Sequence, residues 1–268
     1  MSAWHSLYLP VADAAAVAVP LRESLAALGY TLFDPFGTMP GRAYPKAVRL
    51  FVAPPNGGWI RVVGEPDARQ LPALSALAPV VYATLDAATP IRVYASGAES
   101  DVEALSPYLR AGKTTDDLRA ARSSPTLTIA DEQPDGLPMG ALPDEVRALA
   151  GGIDLKHAQS IFARLTGSAL KRAGQDSTTA DAARSLIAAS HPPVWIAPAG
   201  RQLQAFMACL TVPDDWQSPD FVTLRDAYQV AARLRLRPNA DLYPGDAEAL
   251  AQVSNPLDYT PIYGGSAG

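Results

Sequence analysis

Apolar and polar side chains alternate through much of the first hundred residues, and the pattern predicts a sheet. Leu7-Tyr8-Leu9 reads as a short strand ended by Pro10, and Tyr30 to Phe33 as another. Val48, Leu50 and Val52 alternate with Arg49, Phe51 and Ala53. Pro54-Pro55-Asn56-Gly57 then turns the chain into Trp59-Ile60-Arg61-Val62-Val63, where Ile60 and Val62 share one face. Val81, Ala83 and Leu85 continue the apolar row, with Tyr82, Thr84 and Asp86 opposite. Ile91 and Val93 resume it against Arg92 and Tyr94.

Two stretches between these strands carry the helical period instead. Asp13 can cap a helix in which Val17, Leu21, Leu25 and Leu28 recur at spacings of four, four and three, with Pro20 either kinking or starting it. Glu65-Pro66-Asp67 opens a second helix, stabilised by Leu71, Leu74 and Leu77 and stopped by Pro79. Residues 5–97 therefore spell βαββαβ with an extra strand. The predicted fold class is α+β: a ferredoxin-like domain, an antiparallel sheet with its helices on one face.

The rest of the chain reads differently. Asp101 to Leu109 and Thr115 to Ala121 are short helical stretches, within or beside a Ser-, Pro- and Gly-rich excursion over residues 111–141. Beyond it the pattern is mainly helical, from Pro143 to Gly151, from Asp154 through Leu165, from Ser218-Pro219-Asp220 to Arg237, and from Ala247 to Val253. Val194-Trp195-Ile196 reads as a short strand. Leu203, Phe206, Met207 and Leu210 fit a helix, although Leu203, Ala205, Met207 and Cys209 fit a strand equally well. The tail runs extended through Tyr259, Pro261, Ile262 and Tyr263. The predicted division is a domain at 1–110, a linker at 111–141 and a mainly helical domain at 142–268.

One surface of the predicted sheet calls for an explanation. Its second row collects Arg49, Phe51, Trp59, Arg61, Tyr82, Thr84, Asp86, Arg92 and Tyr94. Aromatic and arginine side chains are those enriched at binding hot spots, and a solvated face carries Thr, Lys, Glu and Ser instead. A partner protein, a second copy or a small ligand would explain the set. So would burial under the chain's own second half.

Composition narrows the classes. The chain has 268 residues, a formal net charge of −5 and 48% hydrophobic residues, which is globular and argues against a nucleic-acid footprint over the whole protein. No apolar run approaches the ~20 residues of a membrane span, and Met1 leads into Trp4 and His5 without the basic and apolar regions of a signal peptide. Cys209 stands alone, which excludes an internal disulfide and suits a bacterial-type cytoplasmic protein.

Candidate chemistry is sparse. Arg147 to Leu165 partly resembles the helix-turn-helix of bacterial DNA-binding proteins, with Ala148, Gly152, Ala158 and Ile161 in register and the region locally basic through Arg147, Lys156, Arg164, Lys171 and Arg172, but Gly151 stands where that pattern prefers an aliphatic residue. A DNA binder should expose Lys156, His157 and Arg164 on one ridge. Asn239, Asp241 and Asp246 could offer oxygen ligands to a cation, yet match no calcium loop, and Asp246 reads as a helix cap. His5, His157 and His191 have no metal-ligand spacing, and no nucleophile elbow is present. No catalytic residue, cofactor or metal is expected. The reading is a non-catalytic binding or protein-interaction module using Arg49, Phe51, Trp59, Arg61, Tyr82, Asp86, Arg92 and Tyr94. The alternatives are a hydrolase or transferase with a site between the two halves, and a DNA-binding regulator.

Overall fold

Eight strands form one open antiparallel sheet, with helices packed against it, in a mixed α/β architecture. The computed structural model describes residues 4–36, 44–85, 89–123, 195 and 197–267. The strands are β1 (His5–Leu9), β2 (Thr31–Leu32), β3 (Lys46–Val52), β4 (Ile60–Val63), β5 (Val80–Thr84), β6 (Ile91–Ala95), β7 (Ala98–Ser100) and β8 (Thr260–Ser266), in the order β2-β8-β3-β4-β1-β5-β6-β7. The described helices are α1 (Ala14–Ala27), α2 (Leu71–Ser75), α3 (Thr115–Ser123), α4 (Pro198–Met207), α5 (Phe221–Leu236) and α6 (Asp246–Gln252). The chain divides into two units, one of Met1–Thr126 with Pro198–Gly268 and one of Leu127–Ala197, and all these elements belong to the first.

Local rules account for most of the elements. Asp13 accepts a hydrogen bond from the Ala15 amide at the start of α1, and the helix begins there and continues through Pro20. The β3–β4 hairpin closes with paired bonds between Asn56 and Trp59, and its central residues Gly57 and Gly58 both have positive φ, as the sheet's twist requires. Asp220 accepts from the Val222 and Thr223 amides and caps α5. Leu203, Phe206 and Met207 resolve as the buried stripe of α4. Residues 260–266 are a full strand, inserted between β2 and β3.

Both faces of the sheet are covered. On one side Leu7, Leu9, Val48, Leu50, Val52, Ile60 and Val62 meet Val17, Leu21 and Leu25 of α1 and Leu71 and Leu74 of α2. On the other, Phe51, Val63 and Tyr263 pack under Leu224, Ala227 and Tyr228 of α5.

This double cover overturns one expectation. Tyr82 lies beside Leu7, and Tyr94 beside Val80, within the core under α1 and α2. Val81 therefore shares the opposite face with Tyr8 and Arg61, so β5 and β6 point the other way from their expected orientation. The reason is physical. All five residues of β5 are buried, so no polar side marks which face is outer.

No described helix is long and apolar enough to cross a membrane. Asp86, the helices expected from Pro143 and Asp154, the helix-turn-helix-like segment Arg147 to Leu165, and His157 and His191 lie outside the described residues.

Candidate functional site

The predicted sheet-face set does not stay together. Phe51, Trp59 and Arg61 lie on the α5 side and are closed over by the chain itself. Phe51 is fully buried among Phe36, Phe221, Tyr228 and Tyr263. Trp59 stacks edge-on to Tyr108, and its Nε1 donates to Thr211 Oγ1 at 3.2 Å. Arg61 donates to Ser6 Oγ and to the Gln217 carbonyl, with its guanidinium 5.5 Å from the Trp4 ring centroid. Tyr94 belongs to the α1–α2 core. A partner surface built from all of these is corrected to an internal interface, because each ring found its apolar neighbours within the fold.

Arg49, from the α5 side of the sheet, and Tyr82 and Arg92, from the other side, line a notch of about 540 Å³. It exists because β4 is short. Strand β3 pairs with β4 only through Phe51 and Val52, while Lys46 to Leu50 pair on their other side with β8. Past Val63 the chain leaves the sheet through Gly64, Glu65 and Pro66, and these residues line the opening. Lys46 and Arg49 flank it on one side, His5, Tyr82 and Arg92 on the other, and Tyr30 and Phe221 reach it from the two helical layers.

Gly64 sets the approach of β3 to this loop. Its φ is +117°, and a Cβ there would fall 2.3 Å from the Arg49 carbonyl oxygen. Only glycine fits such a position without displacing backbone.

The notch holds two polar groupings. In one, Asp67 accepts from Tyr30 Oη at 2.8 Å and from Arg69 Nη2 at 2.6 Å, with Lys46 Nζ 3.7 Å away. The Arg69 bonds hold the Asp67 carboxyl well below the usual carboxylate range, against the opposing effect of burial. In the other, His5 Nδ1 and Tyr82 Oη are hydrogen-bonded at 2.8 Å, and Glu65 lies 3.8 Å from His5 Nε2. Burial pushes the Tyr82 hydroxyl up to about 12, with the Glu65 charge adding to the effect. The Arg92 guanidinium sits 5.0 Å from the Tyr82 ring centroid.

A pH experiment checks the first grouping. A carboxyl with a depressed folded pKa stabilises the fold above its unfolded value, near 3.9, and loses that contribution as pH falls toward the folded value. Because Arg69 is 55% exposed, water screens the pair, and Asp67→Asn is expected to lose about 1 kcal/mol at pH 7. Denaturant unfolding at a series of pH values checks this. The gap between wild type and variant should narrow below pH ~4. A gap constant down to pH ~2 would show that the ionised carboxylate is not the source.

Sequence reasoning found Arg49, Tyr82 and Arg92 but missed His5, Lys46, Glu65 and Asp67 as site residues. Glu65-Pro66-Asp67 reads as a helix start, and Asp67 does cap the turn Ala68–Gln70. Nothing local indicates that the same segment also floors a cleft.

No protein-family model, curated protein or solved structure matches this chain. The site therefore rests on its own geometry. Among the described residues, no group of three or more His, Cys, Asp or Glu could hold a metal ion. Asp246 also departs from its expected role as a helix cap. Its carboxylate accepts from the Tyr243 amide and pairs with Arg233, which fastens the loop before α6 to α5.

Proposed function

We propose that this chain is a non-catalytic binding module whose ligand occupies the notch at the end of β4. One observation carries the reading: Arg49 and Arg92 both open into that notch, and among the described residues neither is paired with a carboxylate. An arginine in a cleft wall with no internal anion is available to a ligand. The volume of about 540 Å³ suits a small molecule. The order β3-β4-β1-β5, antiparallel throughout, with α1 and α2 sharing one core cluster on one face, supports a ferredoxin-like arrangement for this part of the sheet. The single buried thiol of Cys209 agrees with a cytoplasmic setting.

Ala68 is exposed at the rim, so Ala68→Trp should occlude the notch without touching the core. In a thermal-shift screen of small metabolites, compounds that stabilise the wild type should act weakly or not at all on this variant. Equal stabilisation of both proteins by every active compound would sink the proposal.

A second reading, as a hydrolase or transferase, draws on the His5–Tyr82 pair and the nearby Glu65, since a histidine between a hydroxyl and a carboxylate can move protons. It would require that His5→Gln abolish turnover while leaving ligand affinity intact.

A further inference from the structure

We infer that the ligand of the notch is a small phosphate monoester, an inference that rests on the notch being the ligand site. The chain is acidic overall, with 27 Asp and Glu against 22 Lys and Arg, yet the notch gathers cations. Lys46, Arg49 and Arg92 line it, against Glu65 and Asp67. Arg69 already engages Asp67 through two side-chain bonds, at 2.9 Å and 2.6 Å. With that acid offset, only Glu65 opposes three cations, and its side chain is 72% exposed at the rim. The surplus of two positive charges matches a dianion better than a single carboxylate.

The donors also suit this group. Guanidinium forks bind phosphate oxygens in pairs, and such charge-assisted bonds are roughly twice as strong as neutral ones. Arg92 is held over the rings of Tyr82 and Tyr94, at 5.0 Å and 6.0 Å, which orients its fork before any ligand arrives. Phe221 from the α5 side and Val48 from the α1 side give the notch some apolar wall beside the cations. That wall lowers the local dielectric around a bound anion and offers contact to an organic body. The match is therefore to an ester with an apolar part, and free phosphate would use only half of the site.

Isothermal titration of the full chain with phenyl phosphate, phenol and inorganic phosphate tests this. Phenyl phosphate should bind most tightly and weaken as salt is added. Arg49→Gln and Arg92→Gln should each weaken it at least about tenfold, from the loss of hydrogen bonds to a charged group. Arg92→Lys should not restore the affinity, because the ammonium lacks the fork. Circular dichroism confirms that each variant is folded, and Arg49 is exposed, so its substitution leaves the core untouched.

Phenol binding as tightly as phenyl phosphate would overturn the anion inference while leaving the notch as a site for neutral ligands. Inorganic phosphate binding as tightly as the ester would overturn the ester. No heat from phenyl phosphate at millimolar concentration, or unchanged affinity in a folded Arg49→Gln/Arg92→Gln double variant, would overturn the inference outright. The occlusion screen with Ala68→Trp is independent of all these outcomes.

Discussion

Replacing Gly64 with alanine should lower the midpoint of thermal unfolding by about 10 °C. Two separate penalties combine at this residue. A side chain at φ +117° is strained by itself, at roughly 1–3 kcal/mol. The added Cβ would also lie 2.3 Å from the Arg49 carbonyl oxygen, and 3.2 Å from the Phe221 ring. A backbone oxygen cannot swing aside as a flexible side chain can, so β3 must shift from β4 next to their pairing at Phe51 and Val63. Gly58→Ala is the control. Gly58 also has positive φ, +80°, but a Cβ there meets nothing within 4 Å. It should lose only the strain, about 1 kcal/mol. Scanning calorimetry on both variants separates strain from crowding. Equal losses would mean that the contact with Arg49 is not what demands glycine at position 64.

Phe51→Ala should destabilise the fold by about 3–5 kcal/mol. Phe51 is 0% exposed, and four aromatic rings lie with centroids 5.4–6.0 Å from its own. Such a cluster closes poorly around a lost ring, because its neighbours are anchored on three separate segments: Phe36 after β2, Phe221 and Tyr228 on α5, and Tyr263 on β8. Urea unfolding reads the loss directly. The experiment also distinguishes the two explanations for aromatic residues on this sheet. If Phe51 served a partner surface, its truncation would spare stability and weaken association. If α5 covers it, stability should fall and no association should change. A loss below about 1 kcal/mol would revive the partner surface.

How far these features were legible varies with the residue. The strand at Val48–Val52 and the hairpin into Trp59 were visible because alternation and a Gly-containing turn are local properties. The α1 stripe of Val17, Leu21 and Leu25 was visible for the same reason. The sequence pattern points Tyr82 and Tyr94 to the wrong face because tyrosine and arginine are amphipathic. Each can lie in a core with only its polar tip at the edge. Next to Ile91 and Val93, they match the outer row of a half-exposed sheet. In a sheet covered on both sides, the outer row is also buried, so contrast in polarity disappears.

The notch was still less accessible. Lys46, Glu65 and Asp67 are ordinary residues of a strand end and a capped turn. They become a site only because β4 stops at Val63 while β3 continues alongside β8.

The amino acids alone determined the strands at β1, β3 and β4, the apolar stripe of α1 and the caps at Asp13 and Asp220, since periods of 2 and 3.6 and capping bonds act between near neighbours. Only the folded chain decided that β5 and β6 turn their tyrosines toward α1 and α2, that residues 260–266 enter the sheet, and that Arg49 and Arg92 share an opening. Those outcomes depend on register and on which layer covers which face. Both are settled by contacts between residues far apart in the chain, where a shift of one position exchanges inside for outside.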